Sequence, residues 1–343
     1  MTNYAGDKFE TIMSLGQGGY GDVALVQYSG PRALPPVCAV KTAKRAQTGG
    51  KTSFMTSLQD EASLLKMLAD VPGVINSYGI VKDRSGSGEE RLVLEYAENG
   101  SLAKLLKDGA FFSEITSLYV FAQIAHIVDQ IHGRSVLHLD LKPDNIVMTA
   151  NNEFKVIDFG HPTAFQKTNK KLRGKRGTST FMPPEMYRAE PYSGTPVDIF
   201  ALGVTLARIL LGVYPFKTAT QEDKHYFLVY LDDFQGFWSK FANSANVSLS
   251  TKLFVWNLLS PNPAVRVDAY RNRMQFIGHL YNGELRPEDY GAIEYEILWF
   301  VQRRHAPLHA DLLEEGQTER EFLGDEAAML PYEPQDTFLC MLS

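Results

Sequence analysis

Apolar and polar positions follow two different rhythms along the chain. Over the first hundred residues the apolar ones come in short runs, and beyond that they recur at three- and four-residue spacing. Residues 9–15 and 23–28 are rich in β-branched, aromatic and aliphatic side chains and predict strands, as does Val37–Thr42. The stretch GQGG at 16–19 separates the first two, with Gly21 just after. Residues 56–70 put Leu58, Ala62, Leu65 and Leu68 on one face, which predicts a helix. Ser57 followed by Asp60 resembles a capping box at its start. DRSGSGEE at 83–90 reads as a turn between two further strands, the second ending in RLVLEY. Residues 113–131 then carry a helical stripe of Ile115, Leu118, Ala122, Ala125 and Val128, with Gly133 as a stop signal. The expected class is α+β, with a small β-rich lobe joined to a larger helical lobe near residues 95–100.

Composition narrows the class. With 343 residues, 44% hydrophobic and 22% charged, the chain has the make-up of an ordinary soluble globular protein. No apolar run approaches the roughly 18–20 residues that a membrane-spanning helix needs. The opening MTNYAGDKFE has no basic-then-apolar leader pattern. Two cysteines, Cys38 and Cys340, make no disulfide framework, so a reducing, cytoplasmic setting is expected. A net charge of −6 argues against a general nucleic-acid partner. That charge sits at one end. Residues 281–343 hold fourteen Asp/Glu against four Arg and no Lys, a net −10, which leaves +4 for the rest. No fixed-period repeat or low-complexity tract is visible.

The candidate chemistry begins with GQGGYGDV at 16–23, which fits G-x-G-x-x-G-x-V. Glycines let a backbone approach phosphates with no Cβ in the way. Alone, the pattern also suits a plain turn or a dinucleotide loop. A dinucleotide loop opens a helix, whereas a strand is expected next here. Lys41 ends the apolar stretch CAVK, where a charge is costly unless it is paired. Glu61, on the predicted helix, could pair with it, although a surface ion pair would look the same. HLDLKPDNIV at 138–147 crowds Asp140, Lys142, Asp144 and Asn145 between apolar residues.

With IDFG at 157–160 and PPE at 183–185, this ordered set resembles the eukaryotic protein kinase family. DIFALG (198–203), YPF (214–216) and Arg266 extend the resemblance from about residue 9 to residue 278. It implies a bilobal kinase-like fold: an N-terminal segment (1–8), a kinase domain (9–278, small lobe about 9–97, large lobe about 100–278) and an acidic extension (279–343). It also implies ATP and Mg2+ as cofactors and a protein Ser/Thr hydroxyl as substrate. Gly16, Gly18 and Gly21 would cover the phosphates. Lys41 would hold the α/β-phosphates, and Glu61 would fix Lys41. Asp158 and Asn145 would bind metal. Asp140 would accept the hydroxyl proton, and Lys142 would neutralise the phosphate in transit. Val23, Ala39 and Val147 would flank adenine, Leu94 would sit behind it, and the backbone of Glu95 and Ala97 would bond its edge. Lys142 and Thr178, in GTSTFMPPE at 177–185, match the Ser/Thr pattern, and MPPE also occurs in dual-specificity enzymes. A nucleotide-binding pseudokinase is the alternative, yet no Lys, Asp or Asn of the set is missing.

Several residues have plainer readings. His138 reads as a core histidine bonded to backbone, Asp144 as solvated or a local cap, and Met182 as packing. Leu139 is the informative departure, because many kinases carry there an Arg that grips a phosphate on the activation loop. The usual phosphate-bearing position corresponds to Gly174, which has no hydroxyl. Turnover without loop phosphorylation is therefore expected, while Thr168 and Thr178 to Thr180 could still be modified. Lys167, Lys170, Lys171, Arg173, Lys175 and Arg176 make the loop basic. It reads as a solvated loop, as a preference for acidic substrates, or as a dock for acidic residues 311–326 acting as an autoinhibitor. Residues 294–301 are expected to form a helix on the large lobe. The last four residues, Cys340 to Ser343, fit C-a-a-X of the farnesyl type. Residues 332–339 just before them hold no Lys or Arg, so they read either as an ordinary C-terminus or as a weak, reversible lipid anchor.

Overall fold

The computed structural model describes residues 7–17, 21–43, 58–82, 90–159, 171–281, 293 and 295–297. Five antiparallel strands form the small lobe: β1 (Lys8–Gln17), β2 (Asp22–Ser29), β3 (Val37–Thr42), β4 (Ser77–Lys82) and β5 (Glu90–Leu94), in the spatial order β1-β2-β3-β5-β4. Register places Gly16 opposite Val23 and Val23 opposite Lys41, so one line across the sheet carries glycine loop, cleft wall and lysine. Helix α1 (Leu58–Met67) buries Leu58, Leu64 and Leu65, and buries Glu61 beside them. Residues 56–57 of the predicted helix, including Ser57 of the capping box, lie outside the described residues, as do 83–89 of the turn. After α1 the chain is sewn into the large lobe. Val156 donates its N–H to Gly73 O at 2.7 Å, and Ile75 donates to Val156 O at 3.1 Å.

The large lobe begins with β6 (Gly100–Ser101) and α2 (Leu102–Leu105), followed by α3 (Glu114–Gly133). Ser113 caps α3, its Oγ accepting from Thr116 N. The helix ends at Gly133, the expected stop, and Arg134 closes it on the carbonyls of Gln130 and Ile131. Glycine lowers helix propensity without forbidding the conformation, so it can stand as the last helical residue. Strands β7 (Ile146–Met148) and β8 (Phe154–Val156) join β6 in a second sheet, and β9 (Lys171–Leu172) pairs with β10 (Tyr192–Ser193). The helices α4 (Thr195–Leu211), α5 (Lys224–Tyr230), α6 (Phe234–Trp238), α7 (Leu249–Leu258) and α8 (Pro263–Tyr281) complete the lobe.

Helix α4 is buried from Pro196 to Leu211 and is the axis around which the others pack. A helix apolar on all sides belongs in an interior, and its few polar residues need partners there. Asp198 and Arg208 meet that condition, Arg208 through the carbonyls of Leu106 and Ala110. Beyond α8, residues 295–297 are helical, and Ile293 and Ile297 are buried in the main core. No helix among the described residues is long and apolar enough to cross a membrane.

Candidate active site

The floor of the cleft hangs from one buried carboxylate. Asp198, in the first turn of α4, is fully buried. Its Oδ2 accepts the His138 N–H at 3.0 Å and pairs with His132 Nε2 at 2.8 Å, while Oδ1 accepts the Leu139 N–H at 2.8 Å. Burial opposes its charge, but His132 and these N–H groups outweigh burial and hold its pKa below the ordinary carboxylate value. Leu139 thereby keeps a left-handed φ of 64°, unusual for a branched residue. His138 sits between backbone groups, Nε2 on Ile157 O at 3.0 Å and Nδ1 accepting from Asp140 N at 3.3 Å. It is the core histidine expected.

This turn delivers Asp140, almost fully buried, into a compact polar network. Its Oδ1 accepts both the N–H and the hydroxyl of Thr178, each at 2.8 Å. Its Oδ2 accepts Lys142 Nζ at 2.8 Å, and that ammonium also reaches Thr178 Oγ1 at 2.7 Å. Gly177, with φ 79°, brings the segment so close that a Cβ there would overlap the Leu139 carbonyl. Asn145 donates its amide to Asp140 O at 2.9 Å, which fixes its flip and turns its own carbonyl oxygen to other uses.

The roof supplies the second cluster. Lys41 Nζ lies 2.9 and 2.7 Å from the two Glu61 oxygens and 2.7 Å from Asp158 Oδ1. Burial disfavours its charge, yet the two carboxylates outweigh burial and raise its pKa. One ammonium serves two carboxylates unequally. For Asp158 burial is outweighed by Lys41 and the pKa falls, whereas for Glu61 burial prevails, helped by the Asp158 charge, and the pKa rises. Gln59 of α1 holds Glu90 at 2.9 Å, tying the helix to β5. Phe159, buried, packs edge-on against His138 with ring centroids 5.0 Å apart.

Between the clusters, Ala39 pairs with Leu94 across β3 and β5, and Val147 is buried on β7. Val23 and Ala97 are half-buried against the same core. Glu95 gives its N–H to Asn76 O, and its carboxylate binds Lys155 at 2.7 Å. Gly16 and Gly21 flank the glycine turn, and a Cβ on Gly21 would strike Thr42 O. Gly18 lies outside the described residues, as do Gly160, Lys167, Thr168, Lys170, residues 311–326 and Cys340.

A family model described as protein kinase domain matches residues 9–277. The chain belongs to the protein kinase family. Members of that family use ATP, typically with Mg2+. An "Aurora kinase" of Eremothecium gossypii is 32% identical over 219 residues, 62% of this chain and 56% of that protein. An "Aurora kinase" of Saccharomyces cerevisiae is 29% identical over 264 residues, 76% of this chain and 66% of that protein. The "Serine/threonine-protein kinase Aurora-1" of Arabidopsis thaliana is 28% identical over 263 residues, 77% of this chain and 83% of that protein. The chain thus spans less than two thirds of the length of the first two relatives.

Within the kinase fold, residues missed by sequence reasoning are those that hold others. Asp198 lay inside a recognised motif, yet nothing in DIFALG says that its carboxylate carries the backbone of His138 and Leu139. His132, Gly177 and Tyr192 gave no separate signal.

Proposed function

We propose that the protein transfers the γ-phosphoryl group of ATP to Ser or Thr hydroxyls of protein substrates, with no need for a phosphorylated activation segment. The observation that carries this reading is the Asp140 carboxylate held jointly by Lys142 and Thr178. Phosphoryl transfer asks mainly for positioning and charge neutralisation. Asp140 would accept the hydroxyl proton, with Lys142 beside it as a point charge for the moving phosphoryl group. Lys41, oriented by Glu61, is the group for the α/β-phosphates. Ala97 gives its carbonyl to Gly100 N and Glu95 its N–H to Asn76. A Glu95 carbonyl and an Ala97 N–H are then an acceptor and a donor suited to an adenine edge, lined by Val23, Ala39, Leu94 and Val147.

The donor set fits Mg2+. Asp158 offers a carboxylate and Asn145 an amide oxygen, the sparse hard set that Mg2+ takes together with phosphate oxygens. Among the described residues no group of three or more His, Cys, Asp or Glu could hold a metal by itself. Bound there, the ion would neutralise phosphate charge.

Phosphate transfer to a generic protein substrate, set against an Asp140→Ala control, tests the reading. Loss of the base should cost about 10²-fold or more, with phosphate on Ser and Thr. Equal rates would point to a nucleotide-binding scaffold instead. Activity should survive phosphatase treatment, since Leu139 cannot grip a phosphate and Gly174 cannot carry one. From charge alone we further propose that acidic residues 311–326 dock on the basic segment as an autoinhibitor. Truncation after Arg304 should then raise turnover and flatten its salt dependence, and no change in either would sink the idea.

A further inference from the structure

The residue that replaces the usual arginine is not left idle. Leu139 is buried in a separate apolar cluster with Leu137, Leu172, Met182, Met186, Tyr192 and Val197. Those residues come from three places: the turn that carries Asp140, the activation segment between Asp158 and Glu185, and residues 186–197 that follow it. The second half of the missing switch is filled as well. At Gly174, the position that corresponds to the phosphate-bearing one, the backbone carbonyl accepts the Tyr192 hydroxyl at 2.6 Å. Tyr192 therefore belongs by its ring to the cluster of Leu139 and by its hydroxyl to Gly174.

The cations of the segment point the same way. A segment organised by a phosphate would gather them around an anion. Here Lys171 Nζ donates to Ser193 Oγ at 2.9 Å, Arg173 Nη1 donates to Ala189 O at 3.0 Å, and Lys175 lies 4.4 Å from the Tyr187 ring centroid. Each partner is a neutral group of residues 187–193, and Arg176 likewise bonds the neutral Tyr192 hydroxyl. Strand pairing of Lys171 and Leu172 with Ser193 and Tyr192 runs through the same place. The consequence reaches Asp140 along the backbone, because Thr178 stands four residues after Gly174 and supplies two of its hydrogen bonds.

We infer that Leu139 and Tyr192 form a phosphate-free clamp that holds the activation segment where Thr178 meets Asp140. Both are positioning residues, since neither touches the reacting groups. The inference rests on the kinase reading above and deepens it, replacing a charge-gated arrangement with one that packing and a neutral hydroxyl keep in place.

The test compares wild type with Tyr192→Phe, Leu139→Gln and the conservative Leu139→Met. Two readouts are taken on the full chain: kcat with KM for ATP, and the rate of tryptic cleavage after Lys171, Arg173, Lys175 and Arg176. Tyr192→Phe removes one oxygen and keeps the ring, so it carries the test even if Leu139→Gln fails to fold. Loss of the hydroxyl's bonds to Gly174 O and to Arg176 should speed cleavage and lower kcat about two- to tenfold, with KM for ATP unchanged. Leu139→Gln should do more on both counts, and Leu139→Met should restore both toward wild type. Unchanged cleavage and unchanged kcat in Tyr192→Phe would overturn the clamp. So would a phosphatase-treated wild type that is inactive while the untreated protein exceeds Asp140→Asn. If untreated wild type transfers no more phosphate than Asp140→Asn, the kinase reading falls, and the cleavage rates still decide whether the clamp exists.

Discussion

At the scale of residues, the site is an exercise in sharing hydrogen bonds. Thr178 Oγ1 donates a hydrogen bond to Asp140 and accepts one from Lys142, so a single hydroxyl sets the orientation of carboxylate and cation together. Hydrogen bonds to charged groups contribute about 1.5–3 kcal/mol each, and Thr178→Ala removes two. We expect kcat to fall about 10- to 100-fold while KM for ATP stays put, which steady-state kinetics would show. Asp198 makes a prediction in pH. Its folded pKa is depressed, so its contribution to stability is present above the unfolded value of about 3.9 and is lost as pH falls through the folded pKa. Asp198→Asn strands the N–H groups of His138 and Leu139 on an amide and should cost about 3 kcal/mol at pH 7. Urea midpoints of the two proteins should differ widely at pH 7 and converge below about pH 4. An Asp198 gap that stayed constant with pH would mean that the carboxylate is not the anion that carries the turn.

At the scale of elements, legibility followed local chemistry. Val37–Thr42 was visible as β3 in full, and β1 and β2 only grew by a residue or two at the ends, because alternating apolar runs between glycines specify strands locally. The stripe of α3 was readable for the same reason. Lys41 and Glu61 were readable as a possible pair from the cost of a charge in an apolar strand, but only the family pattern separated a buried pair from a surface one. Contacts made across elements left no trace in the sequence, and Gly203 is the clearest instance. It sits inside buried α4, where Ala would gain up to about 1 kcal/mol of helix propensity. A Cβ there, however, would stand 2.7 Å from Leu258 Cβ and 3.3–3.4 Å from the Leu258 backbone. These atoms belong to the packed α7 backbone and cannot swing aside. Overpacking costs about 1–3 kcal/mol, so it wins, and Gly203→Ala should lower the thermal midpoint rather than raise it. Differential scanning fluorimetry would settle the sign.

At the scale of the whole molecule, the fold does not stop where the family match stops at residue 277. Ile293 and Ile297, at 1% and 5% exposure, belong to the same core as α3 and α4. Glu296 accepts both the N–H of Ser113 at 2.7 Å and its hydroxyl at 2.6 Å, closing the N-terminus of α3 from outside. A carboxylate beside a helix N-terminus is favourable on its own account. Glu114 repeats the device at another helix, accepting Ser248 N and Oγ at the start of α7. The expected helix at 294–301 is thus met, as far as 295–297 are described, by a segment that is structural rather than appended. Two truncations separate the structural part of the extension from the rest. Ending the chain after Arg304 keeps both isoleucines and Glu296. Ending it after Tyr281 uncovers the core they fill, at about 1.5–3 kcal/mol for each fully buried aliphatic side chain. Against a total stability of about 5–15 kcal/mol, that is a large fraction. The shorter protein should melt about 5–10 °C below the full chain, while the Arg304 truncation should melt with it. Equal melting of all three would show that residues 293–297 lie on the lobe without supporting it. A fall already present after Arg304 would place the support farther along the extension.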